Sequence, residues 1–150
     1  MIALLLPVAR PLALFCTAIF AGAAIYITLV EHPARMSLDN RSAAAQWAPS
    51  YRRATLMQAP LAVLGFIAGF TAWLLGGGAA WLVAAILIGA VVPFTLVVIK
   101  PTNDQLLAPG RDLASADTRT LLERWGRLHA VRSLLSILAM SIMLWEVLNA

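Results

Sequence analysis

The sequence predicts an all-α fold: a bundle of four transmembrane helices, with a short interfacial helix after the first span and a cytoplasmic extension of the fourth. Three observations carry this. Of 150 residues, 61% are hydrophobic and 12% charged, whereas a soluble domain is about half apolar and about a quarter charged. The apolar residues gather in four runs, each long enough to cross a hydrocarbon layer of about 30 Å. The charges gather in two connections between those runs. The expected organisation is a single membrane domain with spans at about 12–30, 54–75, 79–99 and 128–148.

Residues 1–10 read as a short lead ending at Arg10-Pro11. The first span follows as an uncharged stretch from Leu12 to Val30. Its Phe20-Ala21-Gly22-Ala23-Ala24 segment resembles a signal-peptide cleavage site, but the apolar run continues past it through Ile25 to Val30. The character changes at Glu31-His32-Pro33-Ala34-Arg35, and residues 36–53 are polar. Ser37 or Asp39 can cap a short helix through Ala43 to Trp47, with a turn expected at Pro49. Trp47 and Tyr51 suit the headgroup zone.

The second span carries Gln58 and Pro60 near its start, and Gly65 and Gly69 as a pair of small residues at helical spacing, which permits close helix approach. Gly76-Gly77-Gly78 is an uncharged tight turn into the third span. Pro93 inside that span predicts a kink and a freed carbonyl. Lys100-Pro101-Thr102-Asn103 is expected to end it abruptly, leaving 104–118 as loop with a turn at Pro109-Gly110. Ser115 or Asp117 then caps a helix whose polar first turns run without a break into the fourth span.

Of eleven Lys and Arg residues, only Arg10 falls on the side of the termini and the glycine turn. The positive-inside rule therefore predicts cytoplasmic long connections. In a bacterium this means the inner membrane, crossed several times, with both termini periplasmic. The net charge of +4 follows topology, which excludes nucleic acid as its explanation. One cysteine, Cys16, forms no internal disulfide and reads as a packing residue. The bilayer is the expected environment, and a lipophilic small molecule the expected ligand.

Four helix ends lie at one predicted level, and they carry His32, Gln58, Asn103, His129 and Arg132. Ionisable groups at membrane depth are functional candidates by default. Trp125, His129 and Arg132 fall at i, i+4 and i+7, so they share a face that Ser136 continues. On the first helix Thr17, Ala21, Ala24 and Thr28 trace a small, weakly polar stripe ending at Glu31 or His32. Gln58, Ala62, Gly65 and Gly69 do the same on the second. Both imidazoles are expected to meet inside the bundle. Each residue also has a plainer reading. Arg132 can snorkel to the headgroups, Glu31 can pair with Arg35 or Arg132, Asn103 can cap a loop, and His129 can bond a backbone carbonyl.

No phosphate loop, serine-nucleophile motif or cysteine pair is present. Two histidines allow an axially held haem. A copper or iron site needs a third ligand, and Glu31 is the only nearby carboxylate. No cofactor and no metal site is predicted, with haem or a metal ion at His32 and His129 kept as an alternative.

The pattern Glu31-His32-Pro33, Trp47 with Pro49-Ser50-Tyr51, Pro101-Thr102-Asn103, and Trp125-x-x-x-His129-x-x-Arg132 resembles the anthrone oxygenase-like membrane proteins. The resemblance spans nearly the whole chain, and its last two elements are the most specific. It implies a four-span bundle and, as in the few members with a known reaction, oxidation of an anthrone by O2 without a known cofactor. Against that chemistry, His129 or His32 is the expected general base. Arg132 or Asn103 is the expected stabiliser of the phenolate oxygen. Trp125, Gln58, Tyr51 and Gly65 are the expected substrate-binding residues, with access from the bilayer past Gly65 and Gly69. The rival readings are a non-enzymatic accessory subunit of a larger membrane complex, and a haem or metal carrier using His32 and His129; for partners, a homo-oligomer or membership of a larger membrane complex is the expectation.

Overall fold

Four long helical rods, each apolar enough to cross a membrane, make up this computed structural model, which describes residues 2–149 and the side chains of 5–149. The first rod is α1 (Ile2–Tyr26), a π-helical turn (Ile27–Glu31) and α2 (His32–Met36). The second is α3 (Asn40–Ala72), which unwinds at the glycine turn. The third is α4 (Ala79–Phe94), a second π turn (Thr95–Ile99) and α5 (Lys100–Leu106). The fourth is α6 (Ala116–Leu148). At 33 residues, α3 and α6 are each about 50 Å long, well beyond a hydrocarbon core of about 30 Å.

Proline explains where these helices depart from the sequence reading. Neither Glu31-His32-Pro33 nor Lys100-Pro101 ends a helix. In each case the residue before the proline donates its N–H five residues back, His32 to Ile27 and Lys100 to Thr95. A proline offers no N–H and crowds the carbonyl four residues back. Widening the turn relieves that crowding and lets the rod continue. Pro49 makes no turn either. The expected short helix over Ala43–Trp47 is part of α3, which runs on through Pro49 and Pro60. Likewise α1 begins at Ile2 and passes through Pro11, so the lead is helical. The loop expected at 104–118 shrinks, because α5 reaches Leu106 and α6 starts at Ala116.

Of the two cap candidates at each start, Asp39 accepts from the Ser42 N–H at 3.1 Å and Ser115 from the Thr118 N–H at 3.2 Å. Each relieves one orphan donor of a helix end. At the opposite end Gly76 and Gly78 turn the chain with φ of 88° and 97°, a region that costs other residues dearly.

In cross-section the rods form a square. α1 packs on α3 and α6, and α4 packs on the same two. The middle of the bundle is apolar, built from Phe20, Ala62, Trp81, Ile88, Val91 and Met143 among others. Small residues set the spacing: a Cβ on Gly65 would lie 2.8 Å from Thr17 Oγ1, and one on Gly69 3.2 Å from the Ala85 Cβ. The outward faces carry Leu29, Leu56, Leu74, Val97 and Leu134, all more than half exposed. Exposed apolar surface on this scale is what a lipid-embedded protein presents. A second cluster, with Trp47, Ile99, Leu122 and Trp125, closes the end that bears the long connections.

Candidate functional site

The π turn before Pro33 aims two side chains of the first rod at α6. Thr28 Oγ1 lies 3.0 Å from His129 Nδ1 and 2.8 Å from Ser133 Oγ. One turn on, the His32 ring rests against Gly126, where a Cβ would collide with it. Glycine there is what lets an imidazole pack this closely against α6.

Trp125 stands between the histidines. Its ring centroid is 5.2 Å from that of His32 and 4.9 Å from that of His129. The expected meeting of two imidazoles is thus corrected to two imidazoles on one indole, His129 stacked on it at 29° and His32 tilted to it at 52°. A haem ligated by both rings does not fit, because the indole fills the space a porphyrin would need. Among the described residues no three His, Cys, Asp or Glu side chains gather as a metal site.

Arg35, which the sequence offered only as a partner for Glu31, organises the outer half of the cluster. It is 2% exposed. Its guanidinium donates to Gln46 Oε1, Glu31 Oε1 and Ser50 Oγ, and lies 3.3 Å from His32 Nδ1. It also sits over the Trp125 ring at 5.8 Å. These partners, the Glu31 carboxylate above all, offset the cost of burying the Arg35 cation. Glu31 accepts from Arg35 and from Ser50, so it is Arg35 and not Arg132 that it pairs with. The signal in the sequence was the i, i+4 spacing of Glu31 and Arg35.

Arg132 is different. Nη2 donates to Gln58 Oε1 at 2.8 Å, and the guanidinium lies 5.4 Å from the Phe20 ring centroid. Its Nε is buried without a partner, and among the described residues no carboxylate pairs with it. It does not snorkel; it points into the bundle and lines a cavity of about 140 Å³ between α3 and α4. The cavity walls are Tyr51, Thr55, Ala59 and Ala62 on one side and Val91, Val92, Thr95 and Leu96 on the other, with Phe20 behind. Ala59 and Leu96 are exposed, so the mouth opens on the outer surface of the bundle between α3 and α4. A narrow cleft shares Tyr51, Thr55 and Arg132 with this cavity and reaches Gln58, Trp125 and His129. The spare volume of the cleft is about 10 Å³, room for about one water.

The candidates therefore divide. His129, Arg132, Gln58, Tyr51 and Trp125 come together around the cleft. His32 lines neither space. Gly65 packs against Thr17 and Ile88 inside the bundle, so the expected access past Gly65 and Gly69 is closed by side chains. Asn103 is 1% exposed with both amide atoms unpartnered, and it borders neither the cavity nor the cleft. Thr28, Ser133 and Phe20 were missed as site residues. Thr28 stood in the polar stripe of the first helix, and Ser133 follows His129 at i+4.

Comparison with known proteins settles the lineage. The model of the anthrone oxygenase family matches residues 47–142. The chain belongs to the anthrone oxygenase family. Anthrone oxygenase tpcL of Aspergillus fumigatus is 36% identical over 88 residues, covering 57% of this chain and 55% of that protein. Anthrone oxygenase ptaC of Pestalotiopsis fici is 36% identical over 107 residues, covering 61% of this chain and 74% of that protein. The chain thus spans little more than half the length of the first of these anthrone oxygenases. No solved structure matches it. The matched family segment contains Trp125, His129 and Arg132 but not Thr28, His32 or Arg35.

Proposed function

We propose that this anthrone oxygenase family member oxidises a flat, lipophilic anthrone or quinol-like phenol with O2, taking it from the bilayer through the mouth between α3 and α4. One observation carries the reading: an arginine buried without a counter-charge in the wall of an apolar cavity, one side chain away from a histidine. A buried cation without an anion is costly. An oxyanion formed in the cavity supplies what the protein withholds.

The chemistry then follows from the groups present. The CH₂ of an anthrone is acidic because its anion is aromatic. His129, which the cleft sets about one water away from the cavity, removes one of its protons as general base through that water. The electron pair of the broken C–H bond spreads onto the ring oxygen, whose charge Arg132 balances. The carbanion adds O2 at carbon, and the resulting peroxide takes a proton from His129. Breaking the O–O bond with loss of the remaining C–H hydrogen releases water and leaves a carbonyl. One anthrone and one O2 give one anthraquinone and one water. The substrate supplies all the electrons, so the balance closes without a further reductant or cofactor.

Charge distribution supports an orientation with the connections at 31–53 and 100–127 in the cytoplasm and the termini outside. The site then lies near the inner leaflet. The direct test is O2 consumption and quinone formation by the purified protein in lipid nanodiscs with an anthrone as substrate. Equal consumption of O2 and formation of quinone, above empty nanodiscs, is expected. Turnover no faster than empty nanodiscs would remove the proposal.

A further inference from the structure

The hydroxyl pair behind His129 has no role in the chemistry above, and its geometry gives it one. Thr28 Oγ1 touches both His129 Nδ1, at 3.0 Å, and Ser133 Oγ, at 2.8 Å. A threonine hydroxyl carries one hydrogen, so it can donate along only one of these contacts. If Thr28 donates to Ser133, it accepts from a protonated Nδ1, and Nε2 is left bare. If Thr28 donates to Nδ1, the proton of a neutral ring sits on Nε2, which can then take none. Nδ1 is occupied by Thr28 in either case, so Nε2 is the nitrogen left to a substrate.

We infer that Thr28 and Ser133 are positioning residues that hold His129 as the tautomer protonated at Nδ1, with Ser133 setting the direction of the hydroxyl chain. The inference rests on the reading of His129 as the base. Ser133 sits one helical turn beyond His129 on the same rod, so its hydroxyl lies within reach of Thr28 without touching the ring. Orienting an imidazole through the nitrogen that does not react is a general device in histidine chemistry. Here hydroxyls perform it, in a helix interface only 5% exposed at Ser133. The π turn that contains Thr28 is what aims its hydroxyl at α6.

A role confined to anchoring the ring makes a different prediction from a role in setting its tautomer. Ser133→Ala leaves the Thr28–His129 contact in place but frees Thr28 to donate to Nδ1. Anchoring alone predicts near-normal turnover. Tautomer control predicts a fall of at least tenfold in kcat with KM little changed, a similar fall for Thr28→Val, and recovery in Thr28→Ser.

The deciding measurement is the nitrogen NMR spectrum of the protein labelled with [¹⁵N]histidine in nanodiscs. There are only two histidines, and His32→Gln assigns them. Wild type should show His129 with Nδ1 protonated and Nε2 bare, and Ser133→Ala should show the reverse. A wild-type ring protonated at Nε2, or an unchanged spectrum in a folded Ser133→Ala protein, overturns the inference. The spectrum needs no substrate. If the tautomer is as stated and no anthrone is oxidised, the proposed reaction fails while the positioning role stands.

Discussion

Arg132 and Gln58 meet across the diagonal of the square, Nη2 donating to Oε1 at 2.8 Å, and this is the only polar partner the guanidinium finds among the described residues. The bond joins α6 to α3 behind the cavity and turns a charged group toward a largely apolar space in which Tyr51, Thr55 and Thr95 are the other polar side chains. Removing either partner has a distinct outcome. Arg132→Met takes away the charge that balances an oxyanion. Turnover should fall by about 10²- to 10³-fold, while thermal stability in detergent changes little, since the buried cation is gone but the Gln58 amide loses its partner. Gln58→Leu strands the cation instead. Unfolding should then come easier by about 1–3 kcal/mol, read as a lower melting temperature.

The two histidines should separate cleanly in kinetics. His129 borders the cleft, and His129→Gln should cost about 10²- to 10⁴-fold in kcat, the usual contribution of a general base. His32 is occupied by Arg35 at Nδ1 and packs against the tilted Trp125 ring. His32→Gln should leave kcat within a few fold of wild type and act mainly on stability. Steady-state rates of the two variants side by side decide the assignment; equal losses would reject it.

Access is open to a steric test. Ala59 lies at the exposed mouth between α3 and α4. Ala59→Phe should depress kcat/KM for a three-ring substrate much more than for a one-ring quinol, with the melting temperature unchanged. A uniform effect on both substrates would move the route elsewhere.

Gly126 makes a prediction about packing. A methyl group there meets the His32 ring, which Arg35 and Trp125 hold in place. Gly126→Ala should therefore destabilise by about 1–3 kcal/mol through overpacking. Adding His32→Ala should return part of that loss. The double-mutant cycle by thermal unfolding measures the coupling, and strict additivity would contradict the contact.

The four rods were legible because hydropathy over about 20 residues is a strong signal in lipid. Their ends were not. Pro33, Pro49 and Pro101 read locally as breakers, and in water they would be. In the bundle the helix passes Pro33 and Pro101 by a wider turn and carries Pro49 within a continuous α-helix, since unwound backbone in lipid has no water to bond. The site was half legible for the same reason. Trp125, His129 and Arg132 share one helix face, and spacing alone gave that. That an indole separates the histidines, that Gly65 packs inward, and that Asn103 stands apart all depend on helix rotation. The π turn at Ile27–Glu31 resets that rotation, and no periodicity fixed at 3.6 residues anticipates it. Arg35 was missed because a basic residue beside a span is ordinarily a topology marker; only its burial shows otherwise.

Proton removal by His129 is the step on which the account turns, and it can be observed without O2. In D₂O under nitrogen, nanodiscs bearing the wild-type protein should exchange the CH₂ hydrogens of an anthrone for deuterium faster than empty nanodiscs, as read by mass spectrometry. His129→Gln should fall to the rate of the empty discs, with its melting temperature preserved. Exchange by His129→Gln at the wild-type rate would contradict the account.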